Sequence, residues 1–206
     1  MNKNEIKANK EYLEPIEFRN LSEDDMKLSG YAVTFNQPTV LYKIGGLEFK
    51  EVIDRNAFVG TDMKDCCLKY NHDGSFPILA RTRGESLKIK TDDYGLYFDA
   101  KLFDTQSARD IYTLVKGGAL DKCSFAFTIA EGGDLYDPKT RTRTITKFEK
   151  LWDLSVVDVP SYNSTSVSAR SFFEAEAEKE LMEMRELELR KKKIMLLLEL
   201  SGKESR

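Results

Sequence analysis

The sequence predicts a mixed α+β fold, mainly β, in which a small closed or strongly curved antiparallel barrel is followed by a long C-terminal helix. Three observations carry this reading. Short apolar runs, many of them alternating with period two, recur between Glu17 and Pro160, the pattern of half-buried strands. Only one stretch in that region, around Ala108, switches to a helical period, which argues against alternating βαβ units. From Phe172 to Leu200 there is neither Gly nor Pro, as an uninterrupted helix requires.

With 206 residues the chain has room for one core domain and an appendage, since domains commonly run about 100 to 150 residues. The expected division is a flexible segment at 1–14, a folded domain at 15–170 and a charged helix at 171–206. The 32 basic and 35 acidic residues leave a net charge of −3, which gives no global field toward nucleic acid or an anionic membrane. No run reaches the roughly 18 apolar residues of a spanning helix. The opening "MNKNEIKANKEYLEP" has no apolar stretch of the signal-peptide kind, so the expected compartment is the cytoplasm.

The elements follow in order. "LSEDDMKLSG" reads as a polar turn, "YAVTF" as a strand before Pro38, and "GGLEFKEVI" as a strand after a glycine pair. Asp54 is placed to cap a short helical turn, "RNAF", and "CCLKYN" is an apolar run leading to His72, the only histidine. In "SLKIKTDDYGLYFDAKLF", Leu87 and Ile89, then Leu96, Phe98, Ala100 and Leu102 alternate around a "DDYG" turn, which is a hairpin. Next, Ala108, Ile111, Tyr112 and Val115 form one helical stripe, with Asp104 or Thr105 as the cap and Gly117 as the stop. "CSFAFTI" is a strand, a charged loop runs from Gly132-Gly133 through "TRTRTIT", and "FEKLWDLSVVDVP" is the last strand, closed by Pro160. The basic stretch "KTRTRTITK" reads as a solvated hairpin. "SFFE" at Ser171 to Glu174 has the form of a capping box, and acidic residues precede "RKKK" in the order that suits the helix dipole. "IMLLLEL" near its end is apolar enough to imply docking, to another copy or to a scaffold.

Three residues carry the candidate chemistry. On the "CSFAFTI" strand Cys123, Phe125, Phe127 and Ile129 share one face, so Ser124 lies on the other with Ala126 and Thr128. On the last strand Trp152, Leu154 and Val156 alternate with Asp153 and Ser155, which puts Asp153 on the less apolar face. A serine hydroxyl is a weak nucleophile; an imidazole titrating near neutrality takes its proton and returns it, and a carboxylate fixes the imidazole tautomer. Asp158 is the rival carboxylate, one face away if the strand is regular. Cys123 offers a thiol beside Ser124, but alternation turns it toward the core. The adjacent Cys66 and Cys67 with Cys123 fit neither a disulfide framework nor a zinc site and read as reduced thiols. With one histidine, no cysteine pair at ligand spacing and no phosphate loop, no metal or cofactor is expected.

The blocks "GYAVTFN", "FKEVIDRNAF", "LKYNHD", "DTQSARDIYTLVKGGALDKCSFAF" and "LWDLSVVDVPSYNSTSVSAR" occur in that order between about Phe18 and Arg170. In them the chain resembles the prohead maturation proteases of tailed bacteriophages, of the type that processes HK97-like capsids. The resemblance implies a serine endopeptidase with a fold similar to herpesvirus assemblin, occupying 15–170. It would act in the host cytoplasm inside the immature capsid, on the scaffold region of the major capsid protein precursor and on itself. It matches His72 to the family histidine, Ser124 to the serine and Asp153 to the third member. Herpesvirus-like relatives also suggest a homodimer, and self-cleavage near "SVSARS" would release the helix. Ala126 departs from the family pattern, which often has glycine there; a positive φ at 126 would disfavour alanine. The alternative function is a non-catalytic scaffolding or capsid-interaction protein.

Overall fold

A computed structural model describes residues 26–158 and 166–204. The segment 1–14, expected to be flexible, lies outside the described residues. Among them the fold is α+β, with strands β1 (Lys27–Thr34), β2 (Thr39–Ile44), β3 (Leu47–Ile53), β4 (Cys67–Tyr70), β5 (Ala80–Arg81), β6 (Leu87–Thr91), β7 (Gly95–Lys101), β8 (Lys122–Ile129), β9 (Asp134–Asp137), β10 (Thr142–Ile145) and β11 (Phe148–Val157), and helices α1 (Gln106–Lys116) and α2 (Ser166–Glu204). The chain falls into two compact units, Met1–Val167 and Ser168–Arg206.

Strand pairing departs from a closed antiparallel barrel. The described strands form three sheets, ordered β1-β7-β6, β2-β3-β10-β9 and β5-β4-β11-β8, with no continuous ring of hydrogen bonds. Two pairings, β10 with β3 and β11 with β4, are parallel. Parallel neighbours need long connections, and here they join segments separated by most of the domain, which period-two patterning does not reveal. One apolar cluster nevertheless draws on all three sheets, with Leu28, Phe98, Ile53, Ile145, Leu68, Phe125 and Leu154 among its members.

Local chemistry explains the individual elements. The hairpin of β6 and β7 turns on Asp92, whose Oδ1 accepts from the backbone N–H of Tyr94 and of Gly95, at 2.8 and 3.0 Å. Gly95 is required there because a Cβ would lie 1.9 Å from the Val33 carbonyl oxygen. Helix α1 buries Ala108, Ile111, Tyr112 and Val115, and Thr105 Oγ1 accepts from the Ala108 N–H at 3.2 Å, the N-cap bond that satisfies a free amide. After Asp54 the chain makes hydrogen-bonded turns rather than helix, with Asp54 Oδ1 accepting from the Asn56 N–H at 2.7 Å.

The C-terminal unit corrects one boundary. Helix α2 starts at Ser166, so Ser171 and Glu174 lie inside it and do not cap its start. Nothing between Ser166 and Ser171 breaks a helix, and a capping-box spelling is compatible with an interior turn. At 39 residues the helix is roughly 58 Å long. Leu187, Ile194, Met195, Leu196, Leu197 and Leu198 are all exposed on it.

The charged stretch after β8 forms a hairpin, β9–β10, as expected, but not a wholly solvated one: Arg143 is buried, its Nε donating to Asp134 Oδ2 at 2.7 Å. In the parallel register Arg143 stands opposite Glu51 on β3, and Nη1 lies 3.7 Å from Glu51 Oε2. Glu51 occurs in phase with Phe49 and Ile53, which face inward, and is 3% exposed with both carboxylate oxygens lacking hydrogen bonds. Burial pushes its carboxyl up to about 7; Arg143 pulls it down and Asp134 adds to the rise.

A carboxyl raised in the folded state binds more protons than its unfolded counterpart, so stability is lost as pH climbs from the ordinary value of 4.5 to about 7 and is flat above. Glu51→Gln is expected to remove that slope. Urea midpoints of the variant and wild type should agree near pH 4.5 and diverge by pH 8, with the variant more stable by up to roughly 3 kcal/mol.

Candidate active site

Every candidate residue belongs to the sheet β5-β4-β11-β8 or to the turn that leaves it. His72 follows β4 by two residues. Asn71 and His72 both adopt left-handed backbone, with φ of 51° and 56°, a conformation that costs a non-glycine residue about 1 to 2 kcal/mol. The turn is held to β11 and the residue that follows it by three hydrogen bonds. The Asn71 N–H donates to the Val156 carbonyl at 2.9 Å, the Asp158 N–H to Asn71 Oδ1 at 3.2 Å, and the His72 N–H to Ser155 Oγ at 3.1 Å. Tyr70 and Phe76 pack on either side of the turn, their ring centroids 5.4 Å apart.

The imidazole is fixed by a carboxylate. His72 Nδ1 lies 2.6 Å from Asp153 Oδ1, with side-chain exposures of 11% and 7%. Ser155 Oγ donates to the same Asp153 oxygen at 3.0 Å, and Lys69 Nζ stands 3.3 Å from Oδ2. Burial acts most strongly on the Asp153 carboxyl and would raise it. The hydrogen bond and charge of His72, with Lys69 and Ser155, outweigh that and hold it below the usual carboxylate range. With Nδ1 turned to the carboxylate, His72 Nε2 is buried and has no hydrogen-bond partner. Asp158 is exposed and meets the turn through its backbone N–H to Asn71.

Ser124 comes from the neighbouring strand. In the antiparallel register of β8 and β11 it stands opposite Ser155, while Ala126 stands opposite Asp153. Cross-strand partners project to the same side, so Ser124 shares the face of Ser155 and Asp153. The other face is core: Cys123 pairs with Val156, Phe125 with Leu154 and Phe127 with Leu151. The sheet therefore brings His72 and Asp153 into direct contact and sets Ser124 one strand over, on the same face.

Two points of sequence reasoning change. Trp152 does not share the core phase of Leu154 and Val156. It is the surplus residue where the register shifts between Leu151 and Asp153, and it is 50% exposed; a bulge resets the alternation that period-two reading assumes. Ser155 and Lys69 are the partners that sequence reasoning missed. Ser155 carried a signal, being two residues from Asp153 and hence on its face, whereas Lys69 carried none, because β4 and β11 pair in parallel across a long stretch of chain. Ala126 is not among the residues with positive φ, so alanine sits in ordinary strand geometry at the position where glycine was the concern.

The thiols are poor nucleophiles. Cys123 is buried in the core face, where burial pushes its thiol up to about 12; the Ser155 backbone hydrogen bond opposes the rise and the Asp153 charge adds to it. Burial likewise raises Cys66 well above the normal thiol range. No group of three or more His, Cys, Asp or Glu among the described residues is placed to hold a metal ion.

An oriented imidazole with a free Nε2 beside a serine-bearing strand is the equipment of hydrolysis through a serine nucleophile. A family model for the caudovirus prohead serine proteases matches residues 14–180, and the chain belongs to that family. It is thus a serine peptidase of the phage prohead, with a role in capsid maturation. Neither the curated proteins nor the solved structures returned a match.

The contacts of Ser155 lead to a direct test. Ser155→Ala leaves the part-buried His72 backbone N–H without its acceptor and removes one donor from Asp153. The expected loss is about 1 to 3 kcal/mol, read as a lower urea midpoint at unchanged slope. Equal midpoints for variant and wild type would show that the hydroxyl does not hold the turn.

Proposed function

We propose that Ser124 is the nucleophile, His72 the general base and then acid, and Asp153 the residue that orients His72. Together they would cut scaffold sequences of the capsid precursor and the enzyme's own chain within the prohead. The observation that carries this reading is the 2.6 Å contact of His72 Nδ1 with Asp153, which leaves Nε2 unpartnered on the sheet that carries Ser124. In the acylation step Ser124 Oγ bonds to the scissile carbonyl carbon as its proton passes to His72 Nε2. Collapse of the tetrahedral intermediate breaks the C–N bond, and Nε2 returns the proton to the departing amine. Water then repeats the sequence on the acyl-enzyme, with Nε2 again taking and returning one proton. Asp153 stays ionised throughout, which its depressed carboxyl favours, and stabilises the imidazolium.

Ser155 is not a rival nucleophile. It is fully buried, and its hydroxyl is committed to the His72 N–H and to Asp153. The long helix, with its exposed leucines, suits attachment to scaffold or to another copy during assembly.

Coexpression with the capsid precursor, followed by intact-mass measurement, tests the assignment. Wild type is expected to shorten the precursor, and Ser124→Ala to leave it whole. Purified Asp153→Asn should lose on the order of 10⁴ in kcat by holding the wrong tautomer, whereas Asp158→Asn should cleave at the wild-type rate. Precursor processing by Ser124→Ala would contradict the proposal, and full activity of Asp153→Asn would remove Asp153 from it.

A further inference from the structure

The face of the β8–β11 pair that carries Ser124 also carries one large exposed side chain that the proposed chemistry does not use. The register sets Ser124 opposite Ser155, Ala126 opposite Asp153 and Thr128 opposite Lys150, so these six side chains pave one surface. Trp152, added at the bulge, is tied to that surface twice. Its indole N–H donates to Thr128 Oγ1 at 2.9 Å, and Lys150 Nζ stands 4.0 Å from the ring centroid. The indole therefore lies on the side of the sheet that bears Ser124, immediately next to Asp153.

The ring is held rather than free to rotate. Lys150 is itself placed by Asp62, whose Oδ2 lies 3.7 Å from Nζ, and the Asp62 backbone bonds to Glu149 and to Leu151 on β11, each at 3.0 Å. Half of the tryptophan surface remains open to solvent. An exposed aromatic fixed in advance loses little freedom when a ligand covers it. Its polar capacity is already used: the N–H is bonded to Thr128, and the attraction of the ring for a cation is met by Lys150. What remains open is apolar.

We infer that Trp152 is a specificity-determining residue that receives an apolar side chain of the peptide substrate, two to four residues from the scissile bond. The spacing follows from the strand. Ala126 and Thr128 are two and four residues from Ser124, so at about 3.3 Å per residue the ring sits roughly 7 to 13 Å from the nucleophile. An extended peptide covers that distance in the same number of residues. The inference rests on the serine peptidase reading above, and its test separates the two.

Full-length wild type, Trp152→Ala, Trp152→Phe and Ser124→Ala would each digest a library of peptides made by tryptic cleavage of a bacterial proteome, with new cut sites identified by mass spectrometry. Wild type is expected to enrich Leu, Ile, Met or Phe at one position two to four residues from the cut. Trp152→Ala should lose that enrichment and Trp152→Phe should keep most of it. On a synthetic peptide with the preferred residue, Trp152→Ala should lower kcat/KM by on the order of tenfold, mainly through KM. On the same peptide with alanine there, the variant should be nearly equal to wild type. Matching thermal melts for Trp152→Phe and Trp152→Ala establish that both are folded. An apolar preference that survives in Trp152→Ala, or an acidic preference that disappears with it, overturns the inference while leaving the peptidase intact. Wild type cutting no more than Ser124→Ala overturns both.

Discussion

The bond between His72 Nδ1 and Asp153 Oδ1 makes the middle of β11 tenable. Asp153 is a charged group almost without solvent, between apolar neighbours on a strand whose other face is core. A lone buried carboxylate would be driven to protonate. Here the imidazole, the Lys69 ammonium and the Ser155 hydroxyl supply what water no longer does, and the carboxyl ends below its ordinary range. Removing any one partner leaves the others facing a desolvated charge, so the cluster behaves as a unit. Its orientation of the imidazole is the same property as its stability.

That unit is assembled from strands that lie far apart in the chain. β4 and β11 pair in parallel, with Asp153 opposite Cys67 and Ser155 opposite Lys69. The His72 turn, strained at two successive residues, is held down by bonds to β11 alone on one side and by the Tyr70–Phe76 contact on the other. Distant pairing of this kind pays its loop-closure entropy before any contact rewards it. The imidazole is therefore positioned by the last strand of the domain, far along the chain from β4. Without that pairing the chain has a histidine but no oriented imidazole.

How much of this is legible in the sequence depends on range. Helix α1 and the β6–β7 hairpin follow from neighbours within one turn or one hairpin, and the stripe Ala108, Ile111, Tyr112, Val115 is the one the structure buries. The phase of β8 was also legible, because four apolar residues mark its core face without interruption. Partner choice was not. Nothing in "CCLKYN" names β11 as its neighbour, so Lys69 carries no signal, and strand count alone leads to a closed or strongly curved antiparallel sheet. Period-two reading also failed wherever a residue was inserted. β11 has register shifts near Glu149 and at Trp152; the phase from Asp153 to Val156 was legible, but the letters do not announce that Trp152 is the inserted residue and leaves the core face. Arg143 and Glu51 escaped for a related reason, since charged residues in an apolar phase were read by type rather than by position.

The strand phase also sends two adjacent side chains, a thiol and a hydroxyl, to opposite faces. Cys123 and Ser124 are one residue apart, and a thiol is intrinsically the better nucleophile once ionised. Alternation sends Cys123 into the core, where burial above all raises its thiol far above the normal range, which disfavours the thiolate that a cysteine nucleophile needs. Asp153 thus acts in opposite senses on its two neighbours: the same negative charge that steadies a protonated imidazole penalises a thiolate. A slip of β8 by one residue would exchange the two side chains between faces. It is resisted by the packing of Phe125 and Phe127 with Phe148, whose rings lie 4.5 to 6.1 Å apart. The aromatic core on one side of the sheet thereby decides which hydroxyl or thiol reaches the other side, and it is the hydroxyl that lies on the face of Ser155 and Asp153.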